Sequence, residues 1–549
     1  MDLKQRKLNK IEWEGIEVPS NEHEKHITKL ICNGFHDVSL RRNYTVSLLK
    51  YLKINNTPEI DIYVYCNYIQ DILKKLCNNY KVPYVDVLSN KISIKKKDKI
   101  RFTNTEKNLD KNKNIIFEFI VIELLHNMLM TDNEKQLYFN YYTIKKLMSY
   151  SIELCNNCFI EKIKEIMKIY EDKIDIKKAL YYGYYIIEKN DNLLRYADEQ
   201  LYEHQKKLFT LCKNPGPKLI SYISPTGTGK TLSPLGLSEQ YKVIFVCAAR
   251  HVGLSLARSA ISEQKTIAFA FGCGDAEDIR LHYYSAKECI RNKKTGGIKK
   301  VDNSVGDNVE IMISDIKSFL PAMFYMLAFN PKENIIVYWD EPTITLDYEE
   351  HEFHAIIKKN WNENLIPNVV LSSATLPQPE EIAPTIADFR SKFYTLENYV
   401  SDDGVSKQRE IIPEIHTIIS YDCKKTIPLF TKEGHVSTPH LMSSDYNKIQ
   451  EISKHCEKNK TLLRYIDLKS IITFIKYVNE KKYLSSKRYY IERHFPDIEM
   501  ISMTNIKEYY LLILKNINPE CWIEIYTVLT QENISQTNSY IKLVTEDAH

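Results

Sequence analysis

The sequence predicts an α/β protein organised around a doubly wound parallel sheet. A mostly helical region precedes the sheet, and a C-terminal region of mixed texture follows it. Three observations predict this. Between about 196 and 400, short runs rich in β-branched residues (LISYIS, VIFVCA, VEIMIS, NIIVYW, NVVLSS) alternate with helix-compatible stretches. Strands buried on both faces and joined by helices have this texture. Upstream, segments such as IIFEFIVIELLHNMLM carry apolar residues at i, i+3, i+4 spacing, the period of a helix. Finally, 549 residues are too many for one core, so about two to four domains are expected. The expected division is 1–195, helical; 196–400, the α/β lobe with a charged insertion at about 273–308; and 401–549, the C-terminal region.

Composition narrows the function classes. The hydrophobic fraction of 44% is ordinary for a chain with a sizeable interior. A net charge of +4 gives no global basic field, so nucleic-acid binding requires a local groove. MDLKQRKLNKIEWEG has no apolar core segment, so no signal peptide is expected, and no run of about eighteen apolar residues suggests a membrane span. An intracellular location is the expectation. Of twelve cysteines, only Cys155 and Cys158 form a close pair; without a second pair they are expected to be reduced thiols rather than zinc ligands. Heavy use of Lys, Asn, Ile and Tyr fits coding by an AT-rich genome.

In the first 195 residues, KISIKKKDKIRF alternates like a strand or hairpin and KNLDKNKN resembles a solvated loop or linker. No chemical constellation stands out there. Chemistry begins at LYEHQKKLF, where Gln205 precedes Lys230 by 25 residues. A Gln carboxamide matches N6 and N7 of adenine, so Gln205 is expected to select ATP over GTP. Next, the strand KLISYIS runs into PTGTGKT and a helical stretch, LSPLGLSEQ. Glycines let backbone N–H groups turn toward phosphate oxygens, and a following helix aims its positive end at them. Thr226, Gly227, Thr228 and Gly229 are expected to cradle the phosphates. Lys230 would reach the β- and γ-phosphates and Thr231 would bind Mg²⁺. Ser224 stands where the usual pattern has its first glycine.

NIIVYWDEPT ends an apolar strand in Asp340 and Glu341. A carboxylate at a strand tip can hold Mg²⁺, and its neighbour can polarise the attacking water. NVVLSSATLP ends another strand in Ser373, Ala374 and Thr375, where small hydroxyl residues can link the Mg²⁺ site to a neighbouring lobe.

Gln205, SPTGTGKT, WDEPT and SSAT, in this order over roughly 200–400, resemble motifs Q, I, II and III of superfamily 2 helicases, the DEAD/DEAH-box-like group. The resemblance implies a RecA-like ATP-binding lobe, ATP and Mg²⁺ as ligands, RNA or DNA as partner, and ATP-gated closure of two lobes on a strand. VIFVCAARHVGLSLARSA falls where motif Ia belongs, making Arg250 a candidate backbone contact. IMISDIKSFL, with Ser314 and Asp315, resembles the segment before motif II. Motif II is DEPT, neither DEAD nor DEAH, which leaves the subfamily open. Iron–sulfur helicases need four cysteines between motifs Ia and II; only Cys273 and Cys289 fall there, so no cluster is expected. Motifs and composition together are similar to helicase-like proteins of large DNA viruses.

A complete helicase of this kind has a second lobe with glycine-containing motif V and the arginine finger of motif VI. After Gly434 the last 115 residues contain no glycine, and Arg464, Arg488 and Arg493 sit in no such pattern. KTLLRYIDLKSIITFIKYVNEKK suggests a strand followed by a helix, and SYIKLVTEDAH a strand. The expectation is a cut-short or divergent second lobe, or one supplied by a separate chain or downstream segment. An ATP-switched nucleic-acid clamp or assembly factor without unwinding activity is the alternative reading. A nucleotide kinase fits less well, given SSAT and the long gap to motif II.

Overall fold

The computed structural model describes residues 6–87, 101–102, 108–291, 298–343, 345, 348–400, 406–421 and 425–546. The chain forms two compact units, one from Met1–Leu40 with Gln200–Asp422, the other from Arg41–Glu199 with Cys423–His549.

The first unit carries an eight-stranded sheet. Its strands in chain order are β1 (Lys218–Ile223), β2 (Lys242–Cys247), β3 (Ile267–Ala270), β4 (Arg280–Leu281), β5 (Ile311–Asp315), β6 (Ile335–Asp340), β7 (Asn368–Ser373) and β8 (Glu414–Ile419). Across the sheet the order is β8-β1-β7-β6-β2-β5-β3-β4. All neighbours are parallel except β3 and β4. Parallel pairing brings the C-terminal ends of the strands to one edge, where open α/β sheets bind ligands. In register there, Asp340 lies opposite Ser372 and Ser373 opposite Ile223.

Both sheet faces are covered, which is why the strands are almost continuously apolar. Successive side chains point to opposite faces. Tyr222, Phe245, Tyr338 and Val370 face one core with Phe35, Phe209 and Leu256 from helices Glu22–His36, Glu203–Lys213 and Arg250–Ser262. Leu219, Val246, Trp339 and Val369 face the other, with Phe319, Phe353 and Phe389 from helices Phe319–Leu327, Glu352–Glu363 and Ala383–Phe393. The α/β expectation holds at this level.

The compact units do not follow the expected linear boundaries. Residues up to Leu40 group with the sheet because Ile16, Ile31 and Phe35 are buried in its core. β8 lies beyond the expected boundary at 400, yet it pairs with β1 as the sheet's edge.

In the second unit, helices from before and after the sheet pack together. The Tyr142 hydroxyl donates to the Ile501 carbonyl (2.5 Å) and Lys146 Nζ to that of Glu499 (2.9 Å). Gly183 admits Ile472 and Ile506 so closely that a β-carbon there would meet them at 3.0 and 3.1 Å. The strand expected at KTLLRY is a 3₁₀ helix, Lys460–Tyr465, followed by helix Leu468–Lys481. The strand expected at SYIKLVTEDAH is instead the end of helix Trp522–Glu546 as far as it is described. Within KNLDKNKN, expected as a solvated loop or linker, Leu109–Asn112 and Lys113–Ile115 form short helical turns, and most of KISIKKKDKIRF lies outside the described residues. Among the described residues from 425 onward, the strands are the two-residue pairs Leu429–Phe430 and Val436–Ser437. Apart from these pairs, the regular structure described from 425 onward is helical.

Candidate functional site

The loop after β1 leaves the sheet edge and returns through two residues in the left-handed region, Gly227 (φ 78°) and Gly229 (φ 76°), where a β-carbon is costly. Thr226 and Gly227 are exposed at its tip, whereas Thr228 and Lys230 are buried. Thr228 Oγ1 donates to the Pro225 carbonyl (2.7 Å) and lies 3.1 Å from Ser224 Oγ. A serine in the first-glycine position thus braces the loop from within. The expected helix after the loop is only a 3₁₀ turn, Lys230–Leu232, and one short helix, Ser233–Leu237, entered through Pro234. So short a helix has a small dipole, which leaves the loop amides and Lys230 as the main anion-facing groups.

Asp340 and Glu341 end β6 two strands from β1, with β7 between them. Glu341 turns at once into the left-handed region (φ 51°), and its N–H donates to the Ser372 carbonyl (2.7 Å). Its carboxylate meets Lys230 Nζ at 3.5 Å through Oε1 and accepts from the Ser373 hydroxyl through Oε2. Ser373 Oγ in turn accepts from the Thr375 N–H (3.1 Å). The arrangement therefore brings together Lys230, Glu341, Ser373 and Thr375, which lie far apart in sequence.

Burial lowers the Lys230 pKa, opposed by the nearby Glu341 and Asp340 carboxylates. Asp340 is pushed up to about 7, first by burial and then by the Glu341 charge, against the pull of Lys230 and a Ser372 hydrogen bond. Asp340 Oδ1 is buried without a hydrogen-bond partner. An acceptor held dry beside a second carboxylate fits a divalent cation, which would supply the missing positive charge. Thr231, half-buried at the end of the loop, is the second expected ligand.

Gln205, buried at the start of helix Glu203–Lys213, does reach the loop, but it grips the backbone. Its Nε2 donates to the Gly229 carbonyl (3.2 Å) and its Oε1 accepts from the Tyr202 N–H (3.1 Å). Each end of the carboxamide expected to meet adenine already makes one backbone bond. Arg250 is also engaged. Its Nε and Nη2 meet the two Glu12 carboxylate oxygens at 2.5 and 2.9 Å, Nη1 donates to the Arg6 carbonyl, and the guanidinium lies over the Phe271 ring. The arginine expected to face nucleic acid is thus buried on an acidic partner. Asp315 is structural, accepting from the N–H groups of Gly272 (2.7 Å) and Ser318 (2.8 Å).

Sequence reasoning missed the layer beneath the loop. The Tyr338 hydroxyl donates to the Lys230 carbonyl (2.8 Å) and lies 3.0 Å from Ser372 Oγ. Tyr222 OH contacts His204 Nδ1 and lies 3.4 Å from Ser233 Oγ, which is 3.4 Å from the Gly229 carbonyl. Burial holds His204 neutral, its pKa pushed down to about 3. The one available signal was two tyrosines, in ISYIS and IIVYWD, inside strands buried along their whole length.

Among the described residues, no helix is long and apolar enough to cross a membrane. A scan against protein-family models finds no match for this chain, and a search of curated proteins finds none either.

Proposed function

We propose that the sheet unit is the ATP-binding lobe of a superfamily 2 helicase or translocase that couples ATP hydrolysis to RNA or DNA remodelling. The observation carrying this reading is the convergence, at one sheet edge, of a glycine loop with Lys230, the Asp340–Glu341 pair and the Ser373–Thr375 turn. Loop amides and Lys230 would bind the triphosphate, drawing the ammonium away from Glu341. Thr231 and Asp340 would hold Mg²⁺, which when bound neutralises charge on the phosphate oxygens. Glu341, then restrained by Ser373 alone, would orient and polarise water. Thr375, tied to Ser373, would pass the state of Glu341 to whatever closes over the nucleotide.

A second reading is an ATP-switched nucleic-acid clamp or assembly factor. It is favoured by the helical build of the described residues beyond 425 and by the engagement of Arg250 with Glu12. Phosphate release with Mg·ATP, with and without single-stranded RNA or DNA, separates the two. Nucleic-acid-stimulated turnover supports the helicase reading, binding without stimulated turnover supports the clamp, and no ATP binding overturns both.

A further inference from the structure

We infer that Tyr338 is a positioning residue for the phosphate loop, aided from the same sheet face by Tyr222 through Ser233; this rests on the nucleotide-site reading above. In a trans peptide the C=O and the following N–H point in opposite directions, and no cis bond occurs in the described chain. An amide that faces outward toward a phosphate therefore needs its own carbonyl to face into the protein. A carbonyl turned inward must find a donor there, or lose the hydration it had.

The two carbonyls concerned are those of Gly229 and Lys230, whose peptide partners are the N–H groups of Lys230 and Thr231. Both carbonyls receive donors from the protein beneath. That of Lys230 accepts from the Tyr338 hydroxyl at 2.8 Å and from the Ser233 N–H. That of Gly229 accepts from Gln205 Nε2 at 3.2 Å, the Leu232 N–H at 3.2 Å and Ser233 Oγ at 3.4 Å. Tyr338 and Tyr222 are fully buried on neighbouring parts of the sheet face, within packed aromatic and aliphatic side chains. Their hydroxyls therefore cannot wander, and the loop carbonyls inherit that rigidity. Standing on β6, Tyr338 sets its polar atom at the far end of a rigid ring, and that end meets the Lys230 carbonyl just after the loop. Phenylalanine would pack as well and could not donate.

The test compares two buried hydroxyls. Tyr338→Phe removes the donor to Lys230. Tyr325→Phe is the control: Tyr325 belongs to the opposite core, and its hydroxyl donates to the Asn303 carbonyl (2.9 Å). Both variants lose a hydroxyl bonded to a backbone carbonyl, and Tyr338→Phe also loses the contact with Ser372 Oγ, so thermal unfolding should fall in both and somewhat further in Tyr338→Phe. Affinity for Mg·ATP and for Mg·tripolyphosphate, measured by calorimetry on the full chain, should fall by about tenfold or more in Tyr338→Phe and stay near the parent's in Tyr325→Phe. Tyr222→Phe is the second variant, expected to weaken both ligands in the same direction, and it decides the matter if Tyr338→Phe does not fold. If a folded Tyr338→Phe, or failing that Tyr222→Phe, binds tripolyphosphate like the parent, the positioning role is wrong. If the parent binds neither ligand, the nucleotide-site reading fails, and the inference with it.

Discussion

Lys230 Nζ lies 3.5 Å from Glu341 Oε1, so the cation expected to meet phosphates is held by the carboxylate expected to act on water. The lysine side chain is 6% exposed and the glutamate 35%. Each of the two residues is thus the other's charged partner.

Replacing Lys230 by Ala should weaken Mg·ATP binding by about ten- to a hundredfold, the range for losing charge-assisted hydrogen bonds. Equilibrium titration with a fluorescent ATP analogue measures this. Unchanged affinity would remove the loop from nucleotide binding.

Glu341→Gln should behave oppositely at the binding step. Lys230 loses its competing carboxylate, so ATP affinity should hold or rise, while hydrolysis drops by about a hundredfold or more, as for removal of a general base. Single-turnover phosphate release reads the second effect, and equal turnover in variant and parent excludes Glu341.

Gln205→Ala removes a donor to the Gly229 carbonyl, so it should weaken ATP and bare tripolyphosphate alike. The ATP-over-GTP preference should narrow as well if the second N–H of the carboxamide also reads adenine. Loss of that preference with tripolyphosphate binding intact would make Gln205 a base reader and not a loop anchor.

Arg250 and Glu12 are 9% and 15% exposed at the side chain. Glu12→Ala leaves the guanidinium without its carboxylate and should cost about 3–5 kcal/mol in urea unfolding, the range for breaking a buried pair. Replacing both by Met should restore much of that loss. A negligible single-variant effect would show that the contact is dispensable and that Arg250 is free to serve another partner.

In the second unit, Glu118 is buried, with Oε2 accepting from the Leu48 N–H (2.7 Å) and Oε1 from the Asn156 N–H (3.4 Å). Burial nevertheless pushes its pKa up to about 7. Between its ordinary value and about 7, the folded chain binds more protons than the unfolded one. The Glu118 contribution to stability is therefore fully present below the ordinary carboxylate pKa and is lost as pH rises through about 7, by at most ~1.4 kcal/mol per pH unit. Glu118→Gln should flatten that slope in unfolding midpoints between pH 5 and about 8. An identical slope in the variant would show that Glu118 does not titrate there.

Local features made much of the sheet unit legible. Apolar runs ending in Ser224, Asp340 and Ser373 marked three strands because a strand covered on both faces must be apolar throughout. PTGTGKT marked a phosphate-type loop because only glycine turns that backbone without strain. The tertiary structure decided what such local patterns cannot carry. Placing β7 between β1 and β6, and adding β8 beyond residue 400, depend on pairing between distant segments. The joining of 41–199 with 425–546 depends on contacts such as Tyr142 to Ile501. Gln205 bonded to Gly229, Arg250 bonded to Glu12 and Tyr338 beneath Lys230 follow the same logic. Residue type states which hydrogen bonds a side chain can make, and only packing, which brings chosen partners into bonding distance and excludes water, determines which of them it does make.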